Sequence, residues 1–253
     1  MGGALLDGWL ARGVLPASVT VVEPAKIAVA AGVRRVDRPE DLGADVAPEV
    51  VIFAVKPQSL PDVAARYRKY ARTTVYLSIA AGKPVAFFAG ALGEDAAIVR
   101  SMPNTPAAVG AGITAAFANS HVAAAQRALC QKLLEAVGEV VWVDDEALMD
   151  AVTAVSGSGP AYVFLLIECL TEAAVAEGLP PGIAEKLARA TVIGSGQLAR
   201  ASSEAAAQLR KNVTSPGGTT EAALKILMAK DGMSDLMRRA VRAATARSRE
   251  LAG

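Results

Sequence analysis

Residues 50–82 read VVIFAVKPQSLPDVAARYRKYARTTVYLSIAAG. Two runs in this stretch, Val50–Val55 and Thr74–Ala80, are apolar and rich in β-branched residues without alternating. That is the pattern of strands buried on both faces. Between them, Ser59–Tyr70 has helix-like composition, so the stretch predicts strand, helix and a second, parallel strand. The alternation continues on both sides. Val19–Val22, Ala97–Val99, Gly112–Phe117 and Glu139–Val143 predict further strands, and Val85–Leu92 and Val122–Val137 predict further helices. Strands and helices at this spacing imply an open, doubly wound, mostly parallel α/β sheet.

From Glu146 onward the β-runs stop. Glu146–Val155, Gly159–Glu177, Pro181–Ala201, Ser203–Lys211, Thr219–Ala229 and Ser234–Leu251 are rich in Ala and Leu and predict an all-α part. The expected division is therefore an α/β domain over 1–145 and a helical domain over 146–253. Small side chains allow helices to approach closely, which suits a symmetric helical interface.

The 253 residues carry 26 Lys+Arg against 25 Asp+Glu, a net charge of +1. No basic footprint for nucleic acid or an anionic membrane follows. Two Cys and one His exclude a disulfide framework and a His-rich metal site, and argue against a Ser-His-Asp triad. An enzyme of this composition would borrow its chemistry from an organic cofactor. No signal peptide is visible. The apolar run Pro160–Ile167 meets Glu168 too soon to span a bilayer, so it reads as the start of a buried helix. Cys130 and Cys169 read as free thiols in the core, and the protein as cytoplasmic.

The candidate functional residues lie where predicted strands and helices end. Ala54-Val55-Lys56-Pro57 closes one strand with a Lys that can meet phosphate or ribose. Ser78–Gly82 closes the next with small residues that let backbone approach a flat ring. In Arg100-Ser101-Met102-Pro103-Asn104-Thr105-Pro106, two prolines hold Asn104, whose amide suits a nicotinamide, a substrate or a structural Asx-turn. Glu23 stands where an acidic group would bind a ribose diol, whereas nearby Lys26 would favour a 2′-phosphate. In the helical half, Val213-Thr214-Ser215-Pro216-Gly217-Gly218-Thr219-Thr220 runs through a glycine turn into a helix start. Its backbone N–H groups and hydroxyls would form an anion pocket fit for a carboxylate. His121 reads as structural.

These motifs resemble the Δ1-pyrroline-5-carboxylate reductase family. AVKP at 54–57, MPNTP at 102–106, DAVTAVSGSGPAY at 150–162 and VTSPGGTT at 213–220 occur in family order, and VTSPGGTT is the most specific. The resemblance implies a Rossmann domain followed by a helical dimerisation domain. It also implies reduction of 1-pyrroline-5-carboxylate to proline with NADPH, NADH being accepted by many members, and homodimers that often assemble into decamers. Cofactor contacts carry over to Met1, Ala54, Val55, Lys56, Pro57, Ala81 and Asn104. Substrate contacts carry over to Glu146, Val213, Ser215, Gly218, Thr219 and Thr220, with Thr220 beside the imine nitrogen as the catalytic residue. No metal is implied.

One departure stands at the start. Met1–Gly8 reads as the first helix already under way, so the family's opening strand and glycine turn have no counterpart. A start codon assigned too late is the expectation. Lacking that strand, neighbouring strands would lose ladder partners and the pyrophosphate its cradle. Two alternatives follow. A β-hydroxyacid dehydrogenase would place a Lys in the first long helix after the sheet, but none occurs between Lys132 and Lys186. The other is a truncated, non-catalytic, oligomerising relative.

Overall fold

The computed structural model describes residues 1–43 and 45–252. Helix α1 (Gly2–Ala11) starts directly after Met1, and β1 (Thr20–Val22) and β2 (Arg34–Val36) pair in parallel as a two-stranded sheet. There follow β3 (Val50–Phe53), α2 (Leu60–Ala64) with a 3-10 continuation over Ala65–Tyr70, β4 (Val75–Ser78) and α3 (Val85–Leu92). Next come β5 (Ala97–Met102), β6 (Gly112–Ala118), α4 (Ala124–Glu135) and β7 (Gly138–Trp142). The second sheet has the order β3-β4-β5-β6-β7, parallel throughout except between β5 and β6.

The doubly wound α/β expectation is met, with the sheet in two pieces. Among the described residues β1 pairs only with β2, and β3 only with β4. Strand β2 was not expected. Its Arg34-Arg35-Val36 breaks the apolar pattern, which a strand with a single partner tolerates.

Both faces of the larger sheet are covered, as the non-alternating strands required. On one face Phe53, Tyr76 and Ile98 pack with Leu60, Tyr67, Phe88 and Leu92. Phe53 lies between the rings of Tyr76 and Phe88, with centroids 5.9 and 5.6 Å away. On the other face Val75, Leu77, Val99 and Ala116 pack with Cys130 and Leu134 of α4. Leu5 and Trp9 anchor α1 on Ala107, Ala136 and Val137, and the Trp9 indole N–H donates to the Leu133 carbonyl at 2.8 Å.

After β7, a 3-10 turn over Glu146–Leu148 leads into α5 (Met149–Val152) and a π-helical turn at Thr153–Gly157. The remaining helices are α6 (Gly159–Ala176), α7 (Pro181–Ala201), α8 (Ala206–Asn212), α9 (Thr219–Leu227) and α10 (Met233–Ala252). Pro160 and Pro181 occupy first-turn positions in α6 and α7, where a missing N–H costs nothing. The chain forms two compact units. One comprises Met1–Gly157 and the chain end from Thr245, and the other comprises Ser158–Ala244.

Two expectations about burial are overturned. Helix α6 contains no buried residue, and Cys169 on it is exposed, whereas Cys130 is buried as expected. Helix α6 packs on α7, and its Val163, Phe164, Leu165 and Leu170 remain exposed. Among the described residues, Glu146–Ala176 is also long and apolar enough, by length and composition alone, to cross a membrane.

Candidate active site

Strands β3 and β4 run parallel with Phe53 opposite Ser78, so AVKP and the Ala81 turn leave the same end of the sheet. Ligands of doubly wound sheets bind at this carboxyl end. Ala54, Lys56 and Ala81 are exposed there, while Val55 and Pro57 are half-buried. Helix α1 starts beside them. A Cβ on Gly2 would come within 3.0 Å of the Ala54 Cβ, so only a residue without a side chain fits without a shift. No side chain caps α1 and its first turn has no acidic residue, which leaves its N–H groups facing outward for an anion. Met1 is exposed at this start. The donor set, helix N–H groups beside a free Lys at a strand end, fits a dinucleotide phosphate and ribose.

Glu23 follows β1, as expected, and its Oε1 accepts the Ala25 N–H at 2.9 Å. Arg35, which the sequence did not single out, holds this turn. Its Nη2 donates to the Glu23 and Ala25 carbonyls at 2.9 and 2.8 Å and to Asp37 Oδ1 at 2.8 Å. Lys26 is exposed on the same turn.

Asn104 is engaged at both ends of its amide. Its Oδ1 accepts the Ile113 N–H at 3.0 Å, and its Nδ2 donates to Ser156 Oγ at 3.4 Å. The side chain thus braces MPNTP against the start of β6 and against the SGSGP segment. Glu146 lies on the 3-10 turn after β7, where Asp145 accepts the Ala147 N–H at 2.9 Å. Glu146 Oε1 accepts from Arg100 Nη1 at 2.9 Å and from the Val85 N–H at 2.8 Å. Arg100 opens the loop motif seen in the sequence, which assigns it no role of its own. The signal was a cation directly following the apolar run Ala97–Val99, where burial demands a partner.

In the other unit, VTSPGGTT forms the turn into α9. Gly218 is the N-cap residue, and its own N–H goes to the Ser215 carbonyl at 3.0 Å. Among the described residues nothing accepts the N–H groups of Thr219, Thr220 or Glu221. Glu221 turns back instead, accepting the Gly217 N–H at 2.9 Å. Val213, Ser215 and Thr219 are exposed and Thr220 is half-buried. Open donors and hydroxyls at a helix N-terminus have the chemistry to take an anion, and Gly218 contributes only its cap position. His121 is exposed in the turn before α4. No cluster of metal-ligating side chains occurs among the described residues.

A family model described as pyrroline-5-carboxylate reductase dimerisation matches residues 146–251. One described as NADP oxidoreductase, coenzyme F420-dependent, matches residues 1–82. The pyrroline-5-carboxylate reductase of Pseudomonas aeruginosa is 42% identical over 100% of this chain and 93% of its own length. The solved structure of a pyrroline-5-carboxylate reductase from Coxiella burnetii superposes with a TM-score of 0.90 at 34% identity, covering 99% of this chain and 94% of that one. The Plasmodium falciparum pyrroline carboxylate reductase with NADP bound gives 0.85 at 29% identity, covering 100% and 95%.

Proposed function

The chain belongs to the pyrroline-5-carboxylate reductase family, and we propose that it reduces 1-pyrroline-5-carboxylate to L-proline at the expense of NAD(P)H, the last step of proline synthesis. The observation that carries this reading is the start of α9, where VTSPGGTT leaves three N–H groups, those of Thr219, Thr220 and Glu221, unspent beside exposed hydroxyls. A small carboxylate is among the anions such a site takes. Full-length similarity to several pyrroline-5-carboxylate reductases supports the same reading.

NADPH, when bound, supplies the hydride that reduces the imine carbon. The chain's own residues bind and orient. The start of α1, with Lys56 and the backbone of Ala54, Val55, Pro57 and Ala81, holds the dinucleotide at the carboxyl end of β3 and β4. Asn104 contributes by fixing the loop that borders it. The N–H groups at Thr219 and Thr220, with the Ser215 hydroxyl, grip the substrate carboxylate, and Val213 flanks it. To Thr220 we assign the hydrogen bond to the ring nitrogen that orients its proton, and to Glu146 a carboxylate that opposes positive charge on the substrate. No strong acid or base is required, because a cyclic imine takes its proton readily from water. This suits a chain with one exposed His.

We assign cofactor binding to residues 1–145, and substrate binding and dimerisation to residues 146–253. The protein is an oligomer built on a homodimer, further assembly toward a decamer being part of the proposal. So are a cytoplasmic location and the absence of membrane and nucleic-acid partners. The test is turnover of 1-pyrroline-5-carboxylate with NADPH, followed by proline formation. Wild-type protein is expected to turn over, and its failure would favour the non-catalytic reading. Thr220→Ala is expected to lower kcat/KM by about 10–100-fold, the worth of one hydrogen bond to a charged group. Wild-type kcat/KM in that variant would refute the role of Thr220.

A further inference from the structure

Arg100 is 6% exposed on β5, among Val99, Ser101 and Ile98, all fully buried. A guanidinium does not shed its proton, so its charge must be answered where it stands. The answer comes from Glu146, 46 positions along the chain. Its Oε1 accepts Arg100 Nη1 and also the Val85 N–H, the first of α3. Three elements, β5, α3 and the turn after β7, therefore converge on one carboxylate oxygen. The other oxygen, Oε2, has no partner among the described residues, and the Glu146 side chain is 26% exposed. The two oxygens thus have different tasks: one is fixed and the other is presented.

We propose that Arg100 is a positioning residue for the reaction. By pinning Oε1 it leaves Oε2 as the one oxygen of Glu146 free to meet the cationic nitrogen of a substrate. Oε1 itself, through the Val85 N–H, ties Glu146 to α3, which begins three residues after the Ala81–Gly82 turn. The proposal rests on the assignment of Glu146 to the substrate site made above. A brace without this role would also fill the space and hold the fold, so the test reads coupling rather than loss alone.

Arg100→Met, which removes donor and charge at similar volume, and Arg100→Lys, which keeps the charge, are made alone and in a Glu146→Gln background. For each, kcat, KM for 1-pyrroline-5-carboxylate, NADPH affinity by fluorescence and thermal unfolding are measured. Arg100→Met is expected to lower kcat/KM about tenfold, while NADPH affinity stays within about twofold. Arg100→Lys recovers part of the loss. In the Glu146→Gln background, Arg100→Met causes little further loss, because its effect passes through Glu146. Equal losses in both backgrounds overturn the proposal, as does a parallel loss of NADPH affinity. Lys performing no better than Met also overturns it. If Arg100→Met does not fold, Arg100→Lys in the two backgrounds decides by the same coupling. Turnover by the wild type tests the functional reading separately. Glu146→Gln with wild-type kinetics removes the Glu146 assignment, and the proposal with it.

Discussion

Cys130, on the helix packed against the sheet, shows how strongly burial governs a titratable side chain. It is fully buried against Leu77, Val99 and Leu134, and burial pushes its thiol up to about 12 from 9.0. Burial likewise raises Tyr67 to about 12, and raises the Tyr76 hydroxyl, which donates to the Tyr67 carbonyl at 2.7 Å. In each case the folded state holds a proton that the unfolded chain releases earlier. The stability contributed is therefore fully present below the unfolded pKa and is lost as pH rises toward the folded one. The urea midpoint is expected to hold steady from neutral pH to about 9 and to fall above it. A midpoint flat to pH 11 would contradict this. Cys130 should also resist iodoacetamide until the protein unfolds. Apolar neighbours made Cys130 legible as core. Arg100 was not legible: the apolar run was ended at Val99, yet the strand continues to Met102 because a distant carboxylate answers the charge.

Elements whose ends carry their own chemistry were readable from the sequence. Val85–Leu92, led by Pro84, and Pro181–Ala201, with Pro at its start, form as expected at both ends. The stretch Ser59–Tyr70 instead divides into α2 and a 3-10 run, and β2 was passed over, since two Arg in three residues look like loop. The parallel pair β6–β7 depends on a contact that only the structure shows. Gly112 and Gly138 face each other in register, and Gly138 has φ +151. A Cβ at Gly138 would overlap the Gly112 backbone, so only glycine fits. Gly138→Ala is expected to cost about 3 kcal/mol or more from clash and backbone strain together. Equilibrium unfolding measures this, and a loss below about 1 kcal/mol would show that β7 can shift without penalty. Because Glu146 follows β7 closely, the same variant should also lower kcat/KM.

A chain that is 53% apolar must cover that surface somewhere, and the unit Ser158–Ala244 does not do so by itself. Helices α6, α8 and α9 have no buried residue, and α7 buries only Ala184 and Ala188. Phe164, Leu165, Ile183, Leu187 and Ile193 are each more than half exposed. Exposed large apolar side chains in this number point to an interface. A lipid bilayer would accept the Glu146–Ala176 stretch by composition, but the family match over 146–251 is to a dimerisation region, which makes a second copy the expected cover. The sequence suggested close helix contact through its small residues. It did not suggest how little the helices bury alone, because burial within a chain and between chains leave the same apolar pattern. If the second copy supplies the missing core, folding and association are one equilibrium, and stability depends on concentration. The unfolding midpoint of the wild type should rise with protein concentration, and light scattering should report a dimer or a multiple of one. Phe164→Glu combined with Leu187→Glu places two charges in that contact, with each desolvated charge costing several kcal/mol. That variant should be monomeric, with a lower midpoint that no longer responds to concentration. A monomeric wild type with a concentration-independent midpoint would leave these side chains exposed in solution, which a helical unit without a core of its own cannot sustain.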